Sequence, residues 1–591
     1  MKRRWITALL LIVLGLGIWG CNNNEQYDVI VVGGDPEGIS AAVTAARNGM
    51  KTLLVEDDQA LGGLMTLGGL NFIDMCNGRD GTLLTRGTFE EFYNAVGGTA
   101  FDIELAKDVF MQMVTQEENL TLKLNTQFVE PVMKDNKIQG VVLQQDGTNV
   151  TYKAKSVIDA TVDADVAAAA GAQYTYLGED YGQKKDVTGV TLVFELSGID
   201  WQQVAQYLNE DDNPNTGATE KAAWGYNEES FAYVPQDKET RLRGLNIALQ
   251  DDGNVLVNGF IIFGVNPLDK ASKAAGMERG KAELEYIVPY LQENFIGFAN
   301  AELVGTAEQL YVRESRHILG EYQLTLDDVL ENRNFEDVIA LGSYPVDVPP
   351  NEQRTVGIIL GNPDRYGVPF RCLVPVDIDG MLVVGRSASY TSLAAGSARV
   401  IPLGMAEGDA AGVAAAYGIN NKMSFRQISQ DEEAIASIQQ TLKEQGAYLE
   451  SWPQVQEAVE QHWAYSGVKT LRSLALEYGG YDNYGTFGGY QNDYRLEEAI
   501  TAEELTEIVM GLWQYHDIEG VIYFSHAPSC EDVLREAART AGLDINTAQQ
   551  SLIKANILTA QLQPYFTDLT KVPQRAEVIM LLANVHQYLQ K

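Results

Sequence analysis

Residues 27–58 read YDVIVVGGDPEGISAAVTAARNGMKTLLVEDD. Val29–Val32 is wholly apolar, as a strand buried on both faces of a parallel sheet must be. GGDPEG makes a turn. Ile39, Ala42, Val43 and Ala46 then recur on one face at helical spacing, and Gly49 stands where a helix C-terminal glycine belongs. KTLLV is a second strand, closed by Glu56 with Asp57 beside it. This is a βαβ unit of about 30 residues with an acid about 20 residues past the turn. The turn departs from G-x-G-x-x-G at one place. Gly33 and Gly38 hold the first and third positions, and Asp35 holds the second. Gly33 permits the tight turn, Gly38 lets helix and strand pack closely, and the middle glycine usually lets backbone approach a pyrophosphate. Aspartate tolerates unusual backbone angles better than most residues, Gly34 offers slack beside it, and a helix N-terminus or an arginine can offset its charge. Gly33, Gly34, Asp35, Pro36, Glu37 and Gly38 therefore read as a dinucleotide-binding turn, with Glu56 placed to hold a ribose hydroxyl.

A glycine-rich loop, ALGGLMTLGGLNFID, follows at residues 60–74. Residues 121–161 read as several strands with turns at KDNK and QDGT, ending in the apolar VIDAT that returns to the parallel sheet. Residues 380–418 repeat the theme. MLVVG is an apolar strand, Gly385 and Arg386 follow it, and IPLGMAEGDAAGVAAAY is a helix of small residues. Together these stretches resemble the FAD-dependent oxidoreductases of glutathione-reductase-like topology, and among them the branch found in exported bacterial proteins. In that branch Thr, Ser or Asp often replaces the second glycine. The resemblance implies FAD as cofactor, with NAD the alternative. It implies that Gly62, Gly63, Leu64 and Met65 run along the ribitol and the flavin ring. Val129 would offer backbone hydrogen bonds to adenine. Ala160 and Thr161 stand at the family's A-T-G, here completed by Val162. Arg386 could pair with phosphate, and the N-terminus of the small-residue helix would face the flavin. No second G-x-G-x-x-G context is present, so the electron acceptor is expected to be a small molecule or a protein rather than NAD(P)H on its own domain.

The expected fold class is α/β: a glutathione-reductase-like FAD-binding domain around a central parallel sheet, an inserted α+β substrate domain and a helical C-terminal domain. The divisions run 1–20 signal, 21–26 linker, 27–170 and 372–422 FAD-binding, 171–371 substrate domain, 423–475 helical segment and 476–591 C-terminal domain. In the insert, KASKAAGMERGKAELEYIVPYLQENF reads as an amphipathic helix pair. YVRESRHILGE, starting at Tyr311, resembles the family's R-E-[ST]-R-R-I-x-G-[ED] motif, with His317 in place of an arginine. Arg313, Arg316 and His317 are candidates for binding an anionic or hydroxylated small-molecule substrate, His317 as a proton donor or acceptor. The structural alternative is an ion-pair network through Glu314 and Glu321. Arg399 is a further candidate, placed to stabilise reduced flavin or an oxyanion. A covalent flavin link through His317 or Cys76 is a minor alternative. The competing functions are a fumarate-reductase-like flavoprotein and a non-catalytic wall-binding protein with a vestigial nucleotide fold.

The 591 residues carry a net charge of −38, which opposes nucleic acid and anionic lipid as partners. MKRR, the apolar run to Trp19 and then Cys21 resemble a bacterial lipoprotein signal, implying a membrane anchor through lipid on Cys21. An ordinary secretory signal or an uncleaved anchor is the alternative. Cys76, Cys372 and Cys530 would remain, an odd number with no disulfide framework, though a Cys76–Cys372 bridge stays open. No C-x-x-C pair occurs and the five histidines are scattered, so no metal site is expected. Near the C-terminus, TAEE from Thr501 and QRAE from Gln574 open helical stretches and resemble degenerate S-layer-homology units. That resemblance implies a cell-wall polymer as partner; a helical cap or an oligomer contact is the alternative.

Overall fold

The computed structural model describes residues 26–182, 187–352, 354–476, 480–481 and 492–591. The lipoprotein signal, Cys21 and most of the glycine- and tyrosine-rich stretch near residue 485 lie outside the described residues. The first sheet is built from β1 (Gln26–Val32), β2 (Thr52–Val55), β3 (Leu120–Lys123), β4 (Gln127–Lys134), β5 (Lys137–Gln145) and β6 (Thr148–Asp159). Its order is β3-β2-β1-β6-β5-β4, and Met381–Val383 pairs with the end of β6. The pairs β3–β2, β2–β1 and β1–β6 are parallel, as is the pair of Met381–Val383 with β6. The pairs β4–β5 and β5–β6 are antiparallel. One long strand thus serves two purposes. The first half of β6 belongs to a meander, and its second half, the VIDAT run, joins the parallel core. The two tight turns of the meander place Asp135, Asp146 and Gly147 at positive φ, which Asp and Gly tolerate.

Helix α1 (Pro36–Arg47) connects β1 to β2. The spacing of Ile39, Ala42, Val43 and Ala46 suggests one buried face, yet Gly38 through Ala46 are all buried. The reason is a second helix, α2 (Ile401–Asn421), which packs along α1 and also touches β6. Glycines make that approach possible. A Cβ at Gly412 would sit 2.7 Å from the carbonyl oxygen of Ala41, and one at Gly408 would strike the carbonyl oxygen of Glu37. Asp409 of α2 is buried between the elements and accepts from Thr44 Oγ1 at 2.7 Å and from Thr88 Oγ1 at 2.8 Å. Burial pushes its carboxyl up to about 6, with those hydrogen bonds holding it back.

The insert carries a second seven-stranded sheet, antiparallel throughout. Lys270–Asn294 covers it with Leu284, Ile287, Val288 and Leu291. This is one helix of 25 residues, not the pair expected from the sequence; Pro289 lies inside it without ending it. The C-terminal helices form their own core, which begins at Ala464 rather than at 476. Arg472, 1% exposed, docks this unit on the rest of the chain through Asp327 at 2.6 Å and Glu331 at 3.3 Å. Thr501 and Gln574 do open helices, each with a capping box to Glu504 and Glu577. Cys76, Cys372 and Cys530 are buried and free. No helix among the described residues is long and apolar enough to cross a membrane.

Replacing Gly412 by valine should separate α1 from α2. The expected cost is about 1–3 kcal/mol, read as a lowered midpoint in thermal or denaturant unfolding.

Candidate functional site

At the end of β1 the chain turns where no side chain fits. Gly33 has φ +108°, and a Cβ there would strike the carbonyl oxygen of Ala160 at the end of β6. A Cβ at Gly38 would strike the carbonyl oxygen of Gly33. The turn is thus clamped between two parallel strands, and α1 starts immediately above them. Gly34 donates its N–H to Glu56 Oε2, and the same carboxylate accepts from Asp58 N at 2.9 Å. A Cβ at Gly34 would lie 2.8 Å from that carboxylate, so this glycine admits Glu56 rather than merely loosening the turn.

Asp35 answers its own anomaly. It is the N-cap of α1 but makes no side-chain cap bond. Its carboxylate occupies the space that a Cβ on Gly63 would fill, and the backbone N–H of Leu64 supports it. Gly63 has φ +40° and sits in a short 3₁₀ turn, Gly63–Met65, tied back to the glycine turn by Gly62 N donating to Gly34 O at 2.8 Å. The side chain at the second-glycine position therefore points into the neighbouring loop.

These elements open onto a cavity of about 770 Å³. Its lining includes Gly33, Asp35, Pro36, Glu37, Glu56, Asp57, Leu64, Met65, Ala160, Thr161, Gly385 and Arg386 among the expected cofactor residues, and Arg313 and Arg399 among the expected catalytic ones. The N-terminal residues of α2, Ile401 and Pro402, also face it, and α2 has no side-chain cap. The volume lies within the usual range for ligand sites, about 300–1,000 Å³. Two uncapped helix N-termini and a backbone cradle closed to any Cβ are what an extended dinucleotide with a diphosphate requires.

Several expected roles are corrected. Arg316 is committed to Asp163 O at 2.7 Å and to Asp165 at 2.8 Å, two residues of the cavity wall, and does not itself line the cavity. His317, 1% exposed, faces Glu314 at 3.2 Å. Glu314 also accepts from Ser392, so His317 and Glu314 form a buried structural cluster, different from the expected arginine network: Arg316 pairs with Asp165, and Glu321 with Arg426. Arg386 reaches the cavity, but its nitrogens donate to Val162 O at 2.7 Å, to Val312 O and to Asp163 at 2.5 Å. It acts on the site through its field and not as a free phosphate clamp. Val129 is 40% exposed and lies outside the lining, which is made there by Thr126, Gln127 and Phe128. Gly34, Gly38, Gly62 and Gly63 support the lining from behind. Cys76 is fully buried and, like His317, does not reach the cavity, so neither is placed to hold a flavin covalently.

The sequence missed Asp74 and Tyr311, which line the cavity, and Arg243 close by. Asp74 lies just past the glycine-rich loop, and its exposed surface is cavity surface within enclosing protein. That enclosure raises its carboxyl above the ordinary range, while Arg399 pulls the other way. Arg399 donates to Tyr311 Oη at 3.0 Å and pairs with Asp347 at 3.1 Å. An acid next to a glycine-rich ligand loop was the available signal for Asp74.

Substituting Gly63 by alanine should destabilise the chain, through the clash with Asp35 and through the positive φ. Adding Asp35→Gly should recover the first part and leave the second, about 1–2 kcal/mol. A double-mutant cycle in denaturant unfolding measures both.

The tRNA uridine 5-carboxymethylaminomethyl modification enzyme MnmG of Lactococcus lactis subsp. cremoris is 31% identical over 158 residues, 24% of this chain and 25% of that protein. The thiamine thiazole synthase of Methanococcus vannielii is 27% identical over 146 residues, 23% of this chain and 56% of that protein. The chain thus spans only about a quarter of the MnmG relatives. A geranylgeranyl bacteriochlorophyll reductase-like protein of Thermoplasma acidophilum is 15% identical in structural superposition, covering 72% of this chain and 84% of its own, with a TM-score of 0.37. The myxobacterial chondrochloren halogenase CndH is 13% identical, covering 71% and 79%, with a TM-score of 0.37. The model of the FAD dependent oxidoreductase family matches residues 28–442, most of the chain and both halves of the cavity, and the protein belongs to that family, an enzyme with FAD as its cofactor.

Proposed function

We propose that this enzyme exchanges a hydride with a small organic substrate held at the Arg313 and Arg399 end of the cavity, and passes the electrons to an acceptor that reaches the same cleft. The observation that carries this reading is one continuous cavity joining the glycine turn to Arg313, Arg399 and Asp74. Bound there, FAD supplies two-electron redox chemistry. The protein's own residues supply the rest. Leu70, Phe72 and Ile73 wall the same space and exclude water. Asp74 has the position and the raised affinity for a proton to hold or deliver one at a substrate heteroatom. Arg399, fixed by Tyr311 and Asp347, favours negative charge developing beside it. The N-terminus of α2 adds its dipole in the same sense. The charged start, apolar run and Cys21 support export and lipid anchoring, and the ion pairs of Arg472 support a capping role for the C-terminal helices. A cell-wall polymer as partner rests on the two helix-opening motifs alone.

Visible absorption of the purified protein tests the reading. Flavin bands released by acid denaturation, and bleached anaerobically by a member of a substrate panel, are expected. A colourless chain that takes up no added FAD overturns it.

The acidic cofactor end predicts a pH dependence. Burial pushes Glu37 up to about 7 and Glu407 up to about 8. Asp35 is raised by burial and then by Glu37, while Arg386 opposes both effects. A carboxyl with a raised folded-state pKa binds its proton more tightly when folded, so the folded state is favoured below that pKa and loses stability as pH rises through it. Apoprotein stability should therefore decline from the ordinary carboxylate range up to about 8. FAD affinity should fall as pH passes about 7, by up to about tenfold per pH unit, because ionised Asp35 and Glu37 then face the diphosphate. Glu37→Gln should flatten that profile in fluorescence titrations.

A further inference from the structure

Arg313 is 4% exposed and faces the cavity. Its Nη1 donates to Thr191 Oγ1 at 2.8 Å and to Gly189 O at 3.4 Å. Its guanidinium lies 4.1 Å from the centre of the Tyr311 ring. Among the described residues no carboxylate pairs with it, and nothing accepts from its Nε or Nη2. The adjacent Glu314 turns away to Ser392 and His317. Two further arginines crowd the same place. Arg243 and Arg399 both act on Arg313 repulsively, and both have a buried Nε with no partner. Asp347 pairs with Arg399. Asp74, the other carboxylate here, makes no ion pair with Arg313; burial raises its carboxyl above the ordinary range, and Arg399 and Arg243 pull it back. Arg313 and Arg399 thus line one end of the cavity, with Arg243 near enough to act on both Arg313 and Asp74, in a chain of net charge −38. Asp347 favours the charge on Arg313 only from a distance while it pairs with Arg399; an enclosed charge with no carboxylate in contact is unfavourable, so an anion at the free edge of Arg313 would be bound well.

We propose that the substrate is an organic acid whose carboxylate is bound by the free edge of Arg313, with Arg243 and Arg399 providing the surrounding positive field. The planar Nε–Nη2 edge matches the two oxygens of a carboxylate. A singly charged group suits the site better than a phosphate dianion, because Asp74 stands beside it. Leu70, Phe72 and Ile73 line the adjoining space, which suits an apolar carbon skeleton. The assignment rests on the oxidoreductase reading for treating the bound acid as a substrate; the anion site itself does not.

The test uses the FAD-loaded full chain, titrated with sodium benzoate and sodium succinate, with benzamide and succinamide as neutral partners and orthophosphate as the competing anion. Binding is read by calorimetry and by perturbation of the flavin bands. Saturable binding by an acid, none by the matching amide, and binding at least about tenfold weaker in Arg313→Gln are expected. Equal binding of acid and amide, no saturable heat from either acid, or tighter binding of orthophosphate would overturn the proposal. Should Arg313→Gln fail to fold, the comparison of acid with amide on the natural chain decides the matter, and Arg313→Lys should retain part of the affinity. A chain without flavin that still binds the acids calorimetrically would sink the redox reading and leave the anion site standing.

Discussion

Everything in the cofactor half of this protein depends on a backbone-on-backbone contact. Gly33 lies against the carbonyl of Ala160, and Gly38 lies over the carbonyl of Gly33. No side chain separates the ends of β1 and β6 from the start of α1. The helix therefore begins directly above the sheet, and its first N–H groups open onto the cavity. The same contact brings Val55 close enough for its carbonyl to accept from Gly33 N at 2.9 Å, which sets Glu56 at the rim. α2 then packs closely along α1 through its own glycines. A single methyl group at the first position would disturb the sheet, both helices and the cavity together.

The electrostatics of the site follow from how tightly it is enclosed. Asp35, Glu37 and Glu56 stand where an anionic cofactor must lie, and a solvated cluster of such acids would repel it. Enclosure changes the balance by making the neutral acid cheaper than the carboxylate. Arg386, fastened to Asp163 and two carbonyls, holds a fixed positive charge beside them. At the far end the signs reverse: Arg243, Arg313 and Arg399 outnumber the nearby acids. The cavity thus runs from a proton-rich acidic end to a cationic one, a polarity that the overall charge of −38 conceals.

Local patterns made the first part of this legible in the sequence. The βαβ unit, the returning strand at Val157–Asp159 and the small-residue helix all depend on short-range spacing, and the sheet pairs as that spacing implies. The family resemblance also named the residues around the turn. What the sequence could not show were matters decided by distant neighbours. Arg316 and Arg313 are three positions apart, yet one is bound by Asp165 and the other faces the cavity. His317 looked suited to proton transfer until Glu314 and complete burial claimed it. Arg243 lies on a strand of the inserted sheet, and nothing in its surroundings along the chain marks it. The turn at Asp35 looked defective because its compensating partner, Gly63, belongs to another loop.

The hydrogen bond from Thr44 to Asp409 spans 365 residues of chain. It joins α1, made early in synthesis, to α2, made late, with an entire second sheet inserted between them. The N-terminal unit emerges first, but the part of α1 that packs on α2 has no cover until α2 arrives. Closing so long a loop adds little entropy beyond that of a moderate one, so the delay is one of timing more than of free energy. During that interval this apolar part of α1 is open to other chains and to chaperones. Cofactor retention in this protein is therefore a report on the closure of α2 over α1, and a chain interrupted before α2 would hold a complete glycine turn with only half a binding site.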